Sequence, residues 1–422
     1  VNRKKILAIA YACNPFKGSE EGVGWGWVNM ISQKNDVWVI LAEYHRADIN
    51  RYLLLNPNKC KTIHFCYVQN KFYHYKPSKF WFEIEHSIFK PIMNFAYILW
   101  QRDAFILSSR LHNCEKFDLI HLITYVGFRF PGKFWKLNIP FVWGPIGGLE
   151  NTPWKFLPNL GLHGFVYYGG RNLINFLHRI FLFGPKNAFK KAKNSTISAT
   201  DSIRKEIKLW YNIESKVICE IGPPEFIAKK VNLRSKNQIL RITWSGKHLV
   251  AKALPLLLKA LSKLPPELNW RLDILGDGPC NTDWKNLASK LEVSSKCYWH
   301  GLLPRHKAIN LIGKSHLFVI TSLKDLTSSV LLESLSQGVP VICPDAFGFA
   351  TVINENCGLK IPLKSPSQFV EDLSKQILRI NSNEVFRRKI SRGALMRIKD
   401  FSWNNKLLEL EKIYRKISSI PN

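Results

Sequence analysis

Short apolar runs alternate along the chain with stretches whose apolar positions recur at helical spacing. That alternation predicts parallel strands covered by helices. In the first half the runs are Lys5 to Tyr11, Val37 to Ala42, Thr62 to Val68, Leu119 to Leu122, Phe141 to Trp143 and Ser195 to Ser198. After a Lys-, Asn- and Ser-rich stretch from Lys229 to Gln238 the pattern restarts, with Arg241 to Ser245, Trp270 to Gly276, Cys297 to His300, Leu317 to Thr321 and Val339 to Cys343. Gly222-Pro223-Pro224 precedes that stretch and marks a joint. The expectation is an α/β protein of two domains, residues 1–222 and 223–400. A helix from Trp403 to Ile417 closes the chain, apolar at Leu407, Leu408, Leu410, Ile413, Tyr414 and Ile417.

Two segments break the alternation. Residues 79–107 and 154–189 mix Trp, Phe, Tyr, Leu and Ile with scattered Lys, Arg and His, which suits helices lying in a membrane interface or helices packed on the first sheet. The formal net charge of +30 attracts polyanions, so an anionic membrane surface is an expected partner beside the alternative of a generally basic surface. No zinc-finger spacing or RNA-recognition motif occurs, and nucleic acid is not expected. Nine cysteines at irregular positions, with no CxxC pair, suit a reducing cytoplasm and argue against a disulfide framework or a zinc site. No uncharged apolar run reaches the roughly 20 residues that span a bilayer. The first residues read as a buried strand rather than a signal peptide. The expected location is cytoplasmic, peripheral on the inner face of the plasma membrane.

The chemistry-bearing pieces sit after strands. In Thr321-Ser322-Leu323-Lys324-Asp325-Leu326-Thr327-Ser328-Ser329-Val330-Leu331-Leu332-Glu333 a strand gives way to a polar loop and then a helix beginning near Thr327 to Ser329, where Ser or Thr can cap it. Free backbone N–H groups at such a start suit a diphosphate. Glu333, one turn inside among leucines, needs hydrogen-bond donors such as a ribose diol, and Asp325 lies on the loop before it. Acidic residues near helix starts also serve capping alone. In Trp244-Ser245-Gly246-Lys247-His248-Leu249-Val250-Ala251-Lys252 two lysines five apart flank a turn and can neutralise a diphosphate or simply face solvent. Gly276-Asp277-Gly278-Pro279 is a tight turn. Gly18 to Trp27 and Gly144 to Gly148 are glycine-bearing loops that a ligand can approach closely.

In this order and at these separations the pieces resemble glycosyltransferase family 4, a GT-B family of retaining enzymes with two Rossmann-like domains facing across a cleft. The resemblance runs over nearly the whole chain and is strongest from Arg241 to Pro362. It rests on Gly246, Lys247 and Lys252, on Gly276 to Pro279, on Asp325 and Glu333, and on Gly338, Pro340, Val341 and Ile342. It implies that the C-terminal helix, 401–422, crosses back to the first domain. It implies that Glu333 holds the ribose hydroxyls, that Lys247 and Lys252 with Gly246 hold the diphosphate, and that backbone N–H groups at Ser329 and Val330 touch the phosphates. Asp325 would contact the transferred sugar and His121, at a strand end, would lie beside the reaction centre. Gly22, Val23 and Gly24 would close on the donor from the first domain, and Gly147 and Gly148 would lie on the acceptor side.

Ile123 stands where many members have a second histidine after His121, and three donor-side positions also depart from the family pattern. Lys247 stands where most members have arginine, Asp325 where they have glutamate, and Ala253 where glycine is common. The charges remain, so the departures bear on donor identity. No cofactor or metal is implied; the substrate is a nucleotide-sugar such as a UDP-, GDP- or ADP-sugar. The acceptor expected from the resemblance and the basic aromatic segments is a glycan on a polyprenyl diphosphate or another membrane lipid, in surface polysaccharide or lipopolysaccharide biosynthesis. The alternatives are an enzyme making a free disaccharide or storage glycan, and a non-catalytic basic membrane- or nucleic-acid-binding protein on the same fold.

Overall fold

The computed structural model describes residues 3–69, 90–228, 230–235 and 238–418. Seven strands form the first sheet: β1 (Lys5–Ala10), β2 (Asp36–Ala42), β3 (Ile63–Val68), β4 (Leu119–Thr124), β5 (Phe141–Ile146), β6 (Thr196–Ser198) and β7 (Lys216–Val217). Their order is β3-β2-β1-β4-β5-β6-β7, with every pairing parallel. The second sheet has β8 (Leu240–Ser245), β9 (Trp270–Leu275), β10 (Cys297–Trp299), β11 (Leu317–Val319), β12 (Val341–Pro344) and β13 (Gly358–Ile361) in the order β10-β9-β8-β11-β12-β13, again all parallel. In both sheets the winding direction reverses beside the first strand, at β1/β4 and at β8/β11. Loops leaving the carboxyl ends of those strand pairs therefore line crevices, the usual ligand position in such sheets.

The first half contributes the helices α1 (Ser19–Ser32), α2 (Arg46–Leu55), α3 (Lys90–Glu115), α4 (Gly161–Phe181), α5 (Phe183–Lys191) and α6 (Asp201–Tyr211). The second contributes α7 (Leu254–Leu261), α8 (Asn281–Lys290), α9 (Arg305–Gly313), α10 (Ser329–Ser336), α11 (Phe347–Val352), α12 (Pro366–Ser382), α13 (Glu384–Arg397) and α14 (Trp403–Ser418). Strand alternation divides the core between the two faces. Leu7 and Ile9 on β1, with Tyr11 just beyond it, join Tyr97 and Trp100 of α3 and Ile203 and Ile207 of α6. Ile6, Ala8 and Ala10 face the other way, onto Trp27 of α1 and Leu410, Ile413 and Tyr414 of α14. The terminal helix thus returns to the first sheet. Trp403 fills a slot between Gly26 and Gly222, where a Cβ on either glycine would run into its indole.

The halves are joined by more than the chain. Phe156, Leu157 and Leu160, from the 3-10 turn Trp154–Leu160 of the first half, are buried in the core of the second, with Phe156 edge-on to Phe369 at 6.3 Å. Of the two aromatic segments, residues 79–89 lie outside the described residues. The other forms this turn together with α4 and α5.

Candidate functional site

The β8/β11 crevice gathers most of the expected donor-side residues. After β8 the chain makes the turn Gly246 to Leu249 and a 3-10 turn, Val250–Lys252. After β11 the loop from Ile320 to Ser328 runs beside it. Leu323 N–H donates to the Ala251 carbonyl (2.8 Å), and Thr321 Oγ1 donates to the Lys252 carbonyl (2.7 Å) while accepting from Trp244 Nε1 (3.0 Å). These bonds lock the loops together and bring Lys252 Nζ to 2.5 Å from Asp325 Oδ2. Both side chains keep some contact with water, and Lys247 is exposed on the same turn. The Gly276-to-Pro279 turn supports this arrangement from behind, with His248 N–H donating to the Asp277 carbonyl (2.9 Å) and Cys280 N–H to the His248 carbonyl (3.0 Å).

Glu333 lies in the second turn of α10, 5% exposed among the buried Leu331, Leu332 and Leu335. Its Oε1 accepts from Arg305 Nε at 2.7 Å, and Arg305, the first residue of α9, is itself well exposed. Sequence reasoning missed Arg305, because a residue 28 positions away carries no local mark of a tertiary ion pair. Helix α10 starts at Ser329, but neither Ser328 nor Thr327 caps it with a side-chain hydrogen bond, contrary to the capping expectation. The Ser329 and Val330 N–H groups are therefore not taken up by the N-cap side chain. Ala253, where the family pattern has glycine, adopts φ +47°, a left-handed conformation that a side chain disfavours by about 1–2 kcal/mol.

On the facing half, Gly147 lies against Leu326 of the Asp325 loop, and a Cβ there would come within 2.8 Å of the Leu326 side chain. Gly148, at φ +81°, sits over Arg129. Three further groups on this seam escaped sequence reading. Lys324 donates to the Glu150 carbonyl; burial pushes the lysine down and the Glu150 carboxyl up from their usual values. Glu220 accepts from Thr327 N–H at 3.0 Å, its carboxyl pushed up to about 7 by burial.

Two expectations need correction. Gly22, Val23 and Gly24 are not in a loop: they lie within α1, which starts at Ser19. The glycines permit close packing there, since a Cβ on Gly24 would collide with the Ala12 carbonyl and one on Gly22 would lie 2.8 Å from that of Lys17. His121 is not at the cleft. It is fully buried within β4, its ring between Trp27 and Tyr414. Nε2 lies 2.7 Å from the Gly144 carbonyl and Nδ1 2.7 Å from the Tyr414 hydroxyl. The tautomer assigned by these partners is neutral, Nε2–H donating to the carbonyl and Nδ1 accepting from the phenol. His121 is a strut between β5 and α14.

That burial has a pH signature. It pushes the His121 pKa down to about 4, so the folded state binds fewer protons than the unfolded state between there and the ordinary value near 6.5. The stability this group confers is complete above about pH 6.5 and is lost as pH falls toward about 4. The stability advantage of the wild type over His121→Gln should shrink by about 3 kcal/mol over that window, at roughly 1.4 kcal/mol for each pH unit crossed. Urea melts of both proteins across the window measure it, and a constant difference rules out the buried neutral imidazole.

Residues 225–394 match the family model for glycosyl transferases group 1. The match covers β8 to β13 and with them the crevice. A sulfoquinovosyl transferase (SQD2) of Arabidopsis thaliana is 25% identical over 237 residues, 55% of this chain and 44% of that protein. The chain spans about half the length of the curated relatives it matches. Among solved structures, the sucrose-phosphate synthase of Thermosynechococcus elongatus superposes with TM-score 0.65 at 14% identity, covering 98% of this chain and 99% of that one. The apo lipopolysaccharide outer core galactosyltransferase WaaB gives TM-score 0.63 at 16% identity over 98% and 99%. The fold is GT-B.

Proposed function

We propose that the protein is a retaining glycosyltransferase that moves a sugar from a nucleotide-sugar to a glycan acceptor. The observation that carries this reading is the Lys252–Asp325 pair at the β8/β11 crevice with buried Glu333 on the helix that follows the same loop, all within the segment that matches group 1 glycosyl transferases. Lys247, Lys252 and the Ser329 and Val330 N–H groups bind the diphosphate. Glu333 takes the ribose hydroxyls when Arg305 swings aside. Asp325 stays beside the transferred sugar. In the reaction the bond from the anomeric carbon to the diphosphate oxygen breaks, its electron pair leaving with the nucleotide diphosphate. The acceptor oxygen bonds to the anomeric carbon from the same face, and its proton passes to the departing phosphate oxygen. Lysines and helix dipole stabilise the charge that develops on that leaving group. His121 takes no part beyond holding β5 and α14 together.

The acceptor in this reading is a lipid-linked glycan of surface polysaccharide or lipopolysaccharide assembly, met by a peripheral protein at the inner face of the plasma membrane. Among the described residues no helix is long and apolar enough to cross a membrane. The test is nucleotide diphosphate release from UDP-, GDP- and ADP-sugars with a lipid-linked glycan acceptor. One donor is expected to give release that Glu333→Gln lowers by about tenfold or more, as loss of a charged hydrogen bond implies. Absence of release from every donor, or full activity of a folded Glu333→Gln, would sink the reading.

A further inference from the structure

Helix α4 has its polarity reversed. A helix on a globular surface normally buries its apolar stripe. Here the stripe turned inward holds Asn172, Asn175 and Arg179, at 2%, 2% and 5% exposure. The opposite face presents Leu162, Val166, Leu173 and Phe181 at 83%, 64%, 56% and 65%. The exposed positions recur at about one- and two-turn intervals on one side of the helix, so this is a continuous apolar band. Trp154, 59% exposed, lies beside Gly169 and extends it.

The inward stripe is bonded to the chain beneath it. Asn172 accepts from Thr152 N–H (3.0 Å) and donates to the Thr152 carbonyl (2.8 Å). Asn175 donates to the Leu149 carbonyl (2.9 Å) and Asn151 Oδ1 (2.7 Å), and Arg179 donates to the Leu149 carbonyl. The helix cannot roll its apolar band inward without breaking these bonds. It grips the loop that follows Gly147 and Gly148, on the wall of the cleft.

The surroundings choose the occupant. From Asn151 to Thr200 the chain contains no Asp or Glu but seven Lys and Arg, of which Lys190, Lys191 and Lys193 are exposed on or just after α5. An apolar band followed in the chain by exposed cations, with the neighbouring Glu206 already paired to Arg179 at 3.1 Å, complements an anionic lipid monolayer, apolar side chains entering the acyl boundary and ammonium groups meeting phosphates. A second copy of the chain would instead bring its own excess of cations against them. We propose that the outer face of α4, with Trp154, seats the protein on an anionic monolayer while its inner stripe fixes the cleft loop from Leu149 to Thr152. This deepens the membrane-surface part of the reading above.

The test is sedimentation of the full chain with phosphatidylcholine vesicles, with and without phosphatidylglycerol, at low salt. Wild type should pellet with the phosphatidylglycerol vesicles. The triple variant L162S/V166S/L173S should bind at least about tenfold more weakly, from lost apolar burial, with an unchanged thermal melt because all three side chains already face solvent. Separately, K190E/K191E/K193E should weaken binding to the anionic vesicles only. Wild type left in the supernatant, or a triple variant that binds as well as wild type, overturns the proposal. So does equal binding to both kinds of vesicle. A wild-type dimer that the triple variant converts to monomer, with vesicle binding unchanged, assigns the face to a second copy and also overturns it. These readouts measure lipid partition, so failure of sugar transfer leaves them standing and the reverse holds too.

Discussion

Lys252→Ala should lower kcat for nucleotide diphosphate release by about 100- to 1,000-fold, the loss seen when one preorganised donor is removed from developing negative charge. The lysine is held for this role. Its backbone carbonyl is pinned by Thr321, which Trp244 holds in turn, and its ammonium group rests on Asp325 at 2.5 Å. The charge on the diphosphate grows as the bond to the sugar breaks, so the effect should fall more on kcat than on KM. Lys252→Arg should recover part of the rate. Stability should fall by about 1–3 kcal/mol, since the pair is mostly buried and Asp325 is left without its charged partner. Steady-state kinetics beside a thermal melt decide the matter, and a folded Lys252→Ala with near-normal kcat would remove the lysine from the chemistry.

The second large effect is structural. Gly276 has φ +114°, and a Cβ there would fall far inside contact distance of the Gly246 carbonyl. That obstacle is backbone, and it is held by the Gly246 N–H bond to the Leu275 carbonyl at 3.0 Å. Gly276→Ala should therefore cost about 3 kcal/mol or more, combining the conformational penalty with overpacking. Gly18→Ala is the control, since nothing lies within 4 Å of the added methyl and the backbone there is extended. Differential scanning calorimetry of the two variants is the measurement. Equal melting would mean that the Gly276 turn does not buttress the Gly246-to-Lys252 turn.

The strands that could be read from sequence are those buried on both faces, such as β1, β4 and β8, where an apolar run stands out against its flanks. Two were missed: β7, of two residues, and β13, whose four residues include Gly358 and Lys360. Edge strands need little apolar content, so no run betrays them. Glycines misled at α1. Gly22, Gly24 and Gly26 disfavour a helix by propensity, yet two of them leave room for backbone and one for the Trp403 ring. The crevice side chains were legible because they sit on loops directly after strands. Arg305, Lys324, Glu150 and the Tyr414 partner of His121 were not, because each acts through a contact that only the folded chain creates. His121 shows the reverse error: a polar residue at a strand end looked available, while the returning helix had already enclosed it.

The polypeptide passes between the halves twice, outward through residues 218–228 and back through Ile398–Phe401 into α14. Trp403 and Lys406 on the return leg touch Gly222 and Ile221 on the outward one. Two legs clasped side by side behave as a door hinge rather than a tether, permitting the lobes to swing about the line they share while resisting twist and sideways slip. Any movement of one lobe against the other must turn about the Trp403 slot, and it must either carry the Trp154–Leu160 turn along with the second lobe or draw Phe156 out of its core.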